Sequence, residues 1–179
     1  MSANARSFNC SKYHHRPINQ LSFVSFRVDV NDSPNKGNWS FARLLRERNF
    51  GGVSTGLFDP LDVTMCHHVL TFVGDAPVAA ARWAFTDDNG VEIALVEKLG
   101  VIDMRRNRTY GTYTLGRIIE DVKAKMAAEG RHVYAIVASV VHDPMHPAWK
   151  TFVKCGFKPM GQSFPVDNKA HVKMVLRHS

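Results

Sequence analysis

A helical segment between two strand-like segments, in the second half of the chain, constrains the fold most. Five apolar residues recur at the spacing of one helix face: Leu115, Ile118, Ile119, Val122 and Met126. Gly130 is a typical helix end, and residues 133–141 then form a nearly continuous apolar run. Such a run is typical of a strand that is buried on both faces. The order predicts a strand–helix–strand crossover.

The segment before this helix has the pattern of an antiparallel meander. Residues 68–73 and 78–86 have strong strand signals, and residues 74–77 between them are predicted to form a tight turn. Asn89-Gly90 is a strong hairpin signal that leads into a third strand, residues 91–101. Because a crossover follows a meander, we expect a mixed sheet and an α/β (α+β) fold.

The other predicted elements lie on either side of this central region. They are a strand at 21–30, a helix from its N-cap Ser40 to about Asn49, an irregular segment at 53–66, a short helix at 148–154 and two closing strands at 158–164 and 170–176. Residues 1–20 are polar and lack hydrophobic periodicity. We therefore expect a flexible arm at 1–20, followed by one domain at 21–179.

The chain is basic, with a formal net charge of +7 over 179 residues. This charge favours polyanionic partners, among them nucleic acids and phosphate-rich cofactors. The aromatic residues do not interleave with the basic cluster Arg105-Arg106-Asn107-Arg108, so no nucleic acid is expected. No apolar stretch is long enough to cross a membrane, which predicts a cytoplasmic protein.

The histidines and cysteines do not predict a metal site. His142 and His146 have the spacing of a helical metal pair, but Pro144 and Pro147 forbid a regular helix there. The three cysteines share no CxxC spacing. His67-His68 lie in one strand and point to opposite faces, so we expect one structural and one exposed histidine.

Residues 97–112 carry most of the chemistry. A strand ends near Val101, a short basic loop follows, and a helix begins near Gly111. Backbone N–H groups at a helix start are unpaired and carry partial positive charge, to which Arg106 and Arg108 add full charges. Gly111 lets a ligand approach the backbone closely. Together these features predict a site for a pyrophosphate.

This segment resembles the cofactor-binding motif of the GNAT N-acyltransferases, Arg/Gln-x-x-Gly-x-Gly/Ala. Arg106 and Gly111 match it, and Thr109 stands in the place of the first glycine. Downstream, a short helix followed by Gly156-Phe157 resembles the family's other motif. Many members have a tyrosine four residues before that glycine, where it protonates the departing thiolate. Here Phe152 stands in that place and cannot donate a proton.

The amino-terminal half resembles the small ElaA-type members of that family. The matching residues are Arg46, Asp59, Asp62, His68-Val69-Leu70, Ala80-Ala81-Arg82 and, in the closing strand, Ala170-His171-Val172-Lys173-Met174. The likeness covers about residues 40–177. It implies the GNAT-type fold, with a mixed, mostly antiparallel central sheet flanked by helices. It also implies a cofactor cleft where two adjacent strands splay.

The resemblance implies an acyl-CoA-dependent N-acyltransferase that moves an acetyl group from acetyl-CoA to a primary amine by direct attack. The acceptor would be a small-molecule or peptide amine, and the protein a monomer or homodimer. The residues implied to hold the cofactor are Leu99, Gly100, Val101, Ile102, Asp103, Arg105, Arg106, Asn107, Arg108, Thr109, Tyr110, Gly111 and Thr112.

Three residues are candidates for catalytic groups. Glu97 lies on the strand that leads to the phosphate loop, where some GNAT members keep a base that works through water; otherwise it is an exposed residue paired with a lysine. His142 follows the buried strand and is a second candidate base. Tyr113, at the start of the long helix, is a candidate proton donor, or a packing residue. The N–H of Val101 resembles the family's oxyanion donor.

Two other functions are compatible with this sequence. One is a GNAT-like module that binds coenzyme A or a protein partner without catalysis, which Phe152 and Thr109 favour. The other is an acyl-homoserine-lactone synthase, which shares the fold. Its amino-terminal signature is not convincingly present here.

Overall fold

The computed structural model describes residues 21–28, 35–50, 60–102 and 109–177, and within them the chain forms seven strands and four helices. The strands are β1 (Leu21–Arg27), β2 (His67–Val73), β3 (Ala76–Asp87), β4 (Glu92–Val101), β5 (Ala135–Val141), β6 (Lys158–Val166) and β7 (Lys169–Arg177). The helices are α1 (Lys36–Phe50), α2 (Pro60–Thr64), α3 (Tyr110–Glu129) and α4 (Pro147–Lys154).

The strands form one sheet in the order β1-β2-β3-β4-β5-β7-β6. Every neighbouring pair is antiparallel except β4 and β5, which are parallel and are joined through α3. The predicted meander, crossover and closing hairpin are therefore confirmed, as is the mixed, mostly antiparallel sheet. Gly130 ends α3 in the left-handed conformation, with φ 63°, as its position predicts.

The two faces of the sheet are buried against different helices. Neighbouring residues of β2 show this, because Val69 belongs to the core cluster with Leu115 of α3 whereas Leu70 belongs to the cluster with Leu45 of α1. The face with α3 and α4 holds the larger core, centred on Trp83. We call the two surfaces the α3 face and the α1 face.

The helices of the amino-terminal half differ from the prediction. Ser40 is not an N-cap: α1 begins at Lys36, and the Ser40 hydroxyl donates to the Lys36 carbonyl at 3.0 Å from inside the helix. Residues 60–64 were expected to be irregular but form α2, which begins at a proline, a residue favoured at the first helical position. The predicted arm at 1–20 lies outside the described residues.

Candidate functional site

The sheet opens between β4 and β5. Their parallel pairing joins Ala94 to Ile136 and ends where Val96 pairs with Ala138. Beyond that point β4 stays paired with β3 as far as Val101, and β5 stays paired with β7. The two strands therefore separate in the middle of the sheet, and we call this separation beyond Val96 and Ala138 the fork.

A β-bulge shapes β4 just beyond the fork. Glu97 pairs with Arg82 and Gly100 with Ala80, so two residues of β4 face one of β3. Lys98, inside the bulge, has a left-handed φ of 56°. An extra residue bends a strand and re-aims its side chains, and bulges are frequent beside active sites. The bulge begins directly after Glu97 and shifts the register of β4 against β3.

Glu97 lies on the α1 face and is held there by an arginine. Arg82 donates from Nε and from Nη2 to the same carboxylate oxygen, Oε2, at 2.9 Å and 2.8 Å. The arginine side chain is 4% exposed, while that of Glu97 is 37% exposed. The partner that the structure shows for Glu97 is this buried arginine. A fixed, half-exposed carboxylate therefore stands at the base of the fork.

The same arginine connects Glu97 to helices α1 and α2. Its Nη1 donates to Asp62 of α2 at 2.7 Å, and Asp62 also receives two hydrogen bonds from Arg46 of α1, at 2.9 Å and 3.0 Å. Burial alone would raise the pKa of Asp62, but the two arginines outweigh it and hold the pKa below 3.8. Two cations and two carboxylates thus form one balanced chain of charges.

His68 packs beside this charge chain. Its Nε2 donates to the backbone oxygen of Asp62 at 2.8 Å, and its ring lies against Trp39 and Phe26. Burial lowers its pKa from 6.5 to about 4, so the ring is neutral at pH 7. Within the part of the chain that the structure describes, its Nδ1 has no hydrogen-bond partner. His67 is also buried, stacked on Trp83, so the expectation of an exposed neighbour was wrong.

The start of α3 lies near the end of β4. A Cβ added at Gly111 would lie 3.5 Å from a methyl group of Val101, an ordinary contact distance. Thr109, at the N-cap, has a left-handed φ of 67°, a conformation that glycine adopts far more readily than threonine. The left-handed backbone at this position explains why the cofactor-binding motif has its first glycine there. Asp103, Arg105, Arg106, Asn107 and Arg108 lie outside the described residues.

The predicted cofactor residues at the end of β4 and directly after it point to different sides of the sheet. Leu99 packs against the core of the α3 face, and Ile102 against the cluster of the α1 face. The N–H of Ile102 donates to the Val78 carbonyl at 3.0 Å. Gly100 is buried against α1, where a Cβ would lie only 2.6 Å from Cγ of Asn49. Close packing against α1 therefore requires Gly100, whatever else the residue does.

The other predicted catalytic residues lie away from Glu97's side of the sheet. His142 is exposed and stacks on Trp149 of α4, with ring centroids 5.6 Å apart. Tyr113 is half-buried in the first turn of α3. Phe152, at the place of the family's tyrosine, is 3% exposed and packs edge-on against Phe157. The described structure therefore places Glu97 on the α1 face and the other two candidates beside α3 and α4.

A serine–histidine pair on β5 and β7, across the fork from β4, was not predicted. We call β4 one arm of the fork and β5 with β7 the other arm. Ser139 of β5 is exposed between the buried residues Ala138 and Val140, and its Oγ lies 3.0 Å from Nδ1 of His171 of β7. Burial lowers the pKa of His171 below 6.5, although Asp167 acts to raise it. The signal in the sequence was a polar residue inside the otherwise apolar strand β5.

Two further observations concern membranes and metals. None of the described helices has both the length and the apolar composition that a bilayer crossing requires. Among the described residues, no group of three or more histidine, cysteine, aspartate and glutamate side chains is arranged to hold a metal ion.

Known proteins match this chain in structure and not in sequence. No family model matches it, and no curated protein does. Escherichia coli ElaA matches with a TM-score of 0.63 and 17% identity, over 87% of this chain and 98% of that one. A Bacillus subtilis acetyltransferase in complex with CoA matches with a TM-score of 0.63 and 12% identity, over 89% and 99%.

An acyl-CoA N-acyltransferase from Pseudomonas aeruginosa also matches, with a TM-score of 0.63 and 12% identity, over 87% of this chain and 98% of that one. Identities this low carry information on the fold alone. The structural match extends over nearly the whole length of these three proteins. The chain therefore has the fold of the GNAT N-acetyltransferases.

Proposed function

We propose that this protein is a GNAT acyltransferase that moves an acetyl group from acetyl-CoA to a primary amine by direct attack. The observation that carries the proposal is the fork between β4 and β5, with the fixed carboxylate of Glu97 at its base. The solved relative that contains CoA supports acetyl-CoA as the donor. The acceptor would be a small-molecule or peptide amine.

The residues around the start of α3 suit an acyl-CoA donor. The first amides of a 20-residue helix have no partner within the helix and carry partial positive charge. Gly111 adds no side chain there, and Arg106 and Arg108 precede it in the sequence. We propose that these groups hold the pyrophosphate and that residues 99–102 hold the pantetheine arm. When bound, the donor supplies an activated acyl carbon.

Glu97 is the carboxylate that we expect to meet the acceptor. Both of the hydrogen bonds that Arg82 donates to Glu97 go to Oε2, and we propose that Oε1 faces the amine. A carboxylate at this point attracts an ammonium group, and it can take up a proton through a water molecule. We keep His142 as the second candidate for the base, on the α4 side. Tyr113 is our candidate for the proton donor to the thiolate, because Phe152 is buried and lacks a hydroxyl.

One observation favours a second function, a GNAT-like module that binds coenzyme A or a partner without catalysis. Phe152 is part of the core, so the family's usual proton donor is replaced by a packing residue. Binding and turnover distinguish the two functions, because the module would bind the cofactor and transfer nothing.

Titration calorimetry with acetyl-CoA tests binding. We expect the wild type to bind and Arg106→Ala to bind at least about tenfold more weakly, since a hydrogen bond to a charged group contributes about 1.5–3 kcal/mol. Arg117→Ala is the matched control, because it removes an exposed arginine farther along α3. A wild type that does not bind acetyl-CoA would overturn the proposal.

Turnover with a panel of primary amines tests transfer. We expect Glu97→Gln to lower kcat/KM for the amine at least about tenfold, since a hydrogen bond to a charged group contributes about 1.5–3 kcal/mol, with acetyl-CoA affinity unchanged. Binding of acetyl-CoA without transfer to any amine would support the non-catalytic module instead.

A further inference from the structure

Ser139 and Glu97 stand opposite each other across the fork. The pair Leu95–Val137 lies within the parallel ladder, and Glu97 and Ser139 each come two residues later on their own strands. Side chains two residues apart share a face, so both belong to the face on which α1 and α2 lie. Paired strands are about 4.8 Å apart, and the distance grows beyond the fork. Ser139 is exposed between buried neighbours, so its hydroxyl is open to solvent on this face.

His171 extends this arm of the fork by one more strand. It pairs with Val141 in the register of β5 and β7, and its Nδ1 lies 3.0 Å from Ser139 Oγ. The Phe164 ring of β6 lies on its other side, with centroids 6.5 Å apart. The serine hydroxyl thus lies between the opening and the imidazole, in the order that a proton relay requires.

The charges that face this pair are largely balanced. Lys173 pairs with Ser139 in the ladder, but its ammonium is bound by Asp88 at 2.7 Å. Asp167 acts to raise the pKa of His171, while burial, Lys169 and His146 lower it. The net effect keeps the imidazole neutral at pH 7, and a neutral imidazole can accept a proton.

We propose that Ser139 contacts the acceptor amine and passes its proton to His171, while Glu97 across the fork binds the ammonium charge. This inference rests on the proposed transferase function. It assigns the proton transfer, for which Glu97 and His142 were the candidates, to the Ser139–His171 pair and leaves Glu97 to bind the ammonium charge. Ser139 is the catalytic residue of the pair, and His171 acts through it.

Two protons leave the ammonium nitrogen during the transfer. One N–H bond of the ammonium breaks and its proton passes to Ser139 Oγ, while the serine proton moves to His171 Nδ1. The freed lone pair forms the N–C bond with the thioester carbonyl carbon, and the C–S bond breaks. Tyr113, our candidate donor, protonates the thiolate and regains a proton from the nitrogen, and His171 releases its proton to solvent. One ammonium and one thioester give one amide, one thiol and one free proton.

The test is the pH dependence of kcat/KM for a primary amine, with glycinamide as the probe. It compares the wild type with Ser139→Ala, His171→Asn and Glu97→Gln between about pH 5.5 and about pH 9. His171→Asn keeps a group that can hydrogen-bond to Ser139 but cannot titrate. Ser163→Ala on the edge strand β6 is the matched control and should leave the rate unchanged.

For the wild type we expect kcat/KM to become independent of pH at a pH below the ordinary histidine pKa of about 6.5, because the enzyme itself deprotonates the amine. In Ser139→Ala and His171→Asn, kcat/KM should rise about tenfold per pH unit up to the pKa of the amine, since only neutral amine then reacts. At neutral pH they should be about 10²–10⁴-fold slower. Glu97→Gln should raise KM for the amine and keep the level region.

Three results would overturn the inference. In the first, Ser139→Ala and His171→Asn lower the rate equally at every pH, or leave it unchanged, which would indicate at most a structural role. In the second, Glu97→Gln abolishes the level region and His171→Asn keeps it, which would make Glu97 the base. In the third, the wild type binds acetyl-CoA but neither acetylates glycinamide nor hydrolyses the thioester. A wild type that does not bind acetyl-CoA would instead remove the proposed function itself.

Discussion

The buried, neutral state of His68 makes the stability of the fold depend on pH. Its pKa is about 4 in the folded protein and about 6.5 when the chain is unfolded, so the unfolded state binds one more proton between these values. The free energy of unfolding should therefore rise with pH from about 4 to about 6.5 and be constant above that range, as far as His68 is concerned. At about 1.4 kcal/mol per pKa unit, the total contribution is about 3 kcal/mol.

The experiment is urea unfolding at a series of pH values, followed by circular dichroism, for the wild type and His68→Phe. The phenyl ring fills the site between Trp39 and Phe26 without titrating, so the variant should lose about 3 kcal/mol of the wild-type pH dependence. Its absolute stability at pH 7 should also fall, since the hydrogen bond to Asp62 is lost.

His132→Phe is the matched control, because His132 is exposed just before β5. This variant should keep the wild-type dependence on pH. The other histidines with lowered pKa, His67 and His171, are present in all three proteins, so their contributions cancel in the comparison. Equal pH dependence in His68→Phe and the wild type would refute the reasoning.

Three further predictions concern stability, all measured by urea unfolding at pH 7. Asp62→Asn should cost about 3–5 kcal/mol because it leaves buried arginine charge uncompensated, whereas Asp88→Asn in an exposed pair should cost at most about 1 kcal/mol; similar losses in the two variants would contradict this. Gly100→Ala should cost about 1–3 kcal/mol through its clash with Asn49, and adding Asn49→Gly, which removes all three clashing atoms, should restore part of it. Thr109→Gly should stabilise by about 0.5–1 kcal/mol, because relief of left-handed strain exceeds the entropy that glycine adds to the unfolded chain; a loss of stability would show that the side chain matters more.

Periodicity in the sequence was sufficient for the order and type of most elements. The apolar spacing of α3, the Asn89-Gly90 turn and the apolar run of β5 each reflect a local rule, and each matches the structure. Ser40 shows where local rules fail. A serine suits both an N-cap and the inside of a helix where it bonds back to the preceding turn, and tertiary packing of α1 on the sheet decides between them.

The candidate site was harder to predict, because its geometry depends on strand register and on contacts between distant segments. Glu97 was proposed from its place before the basic loop at 105–108, but its arginine partner lies 15 residues away on another strand. The Ser139–His171 contact joins residues 32 positions apart. No periodicity encodes such pairs, and the bulge at Lys98 has no sequence signal that we could identify.

The balanced chain of charges through Arg46, Asp62, Arg82 and Glu97 has a consequence for how this sequence can diverge. Loss of one member leaves the chain of two cations and two carboxylates with an uncompensated charge, so single substitutions at these positions should be removed by selection. Homologous chains should keep all four residues or exchange them in compensating pairs. An alignment of homologues should therefore show correlated changes at these positions, which lie in four different elements of the fold.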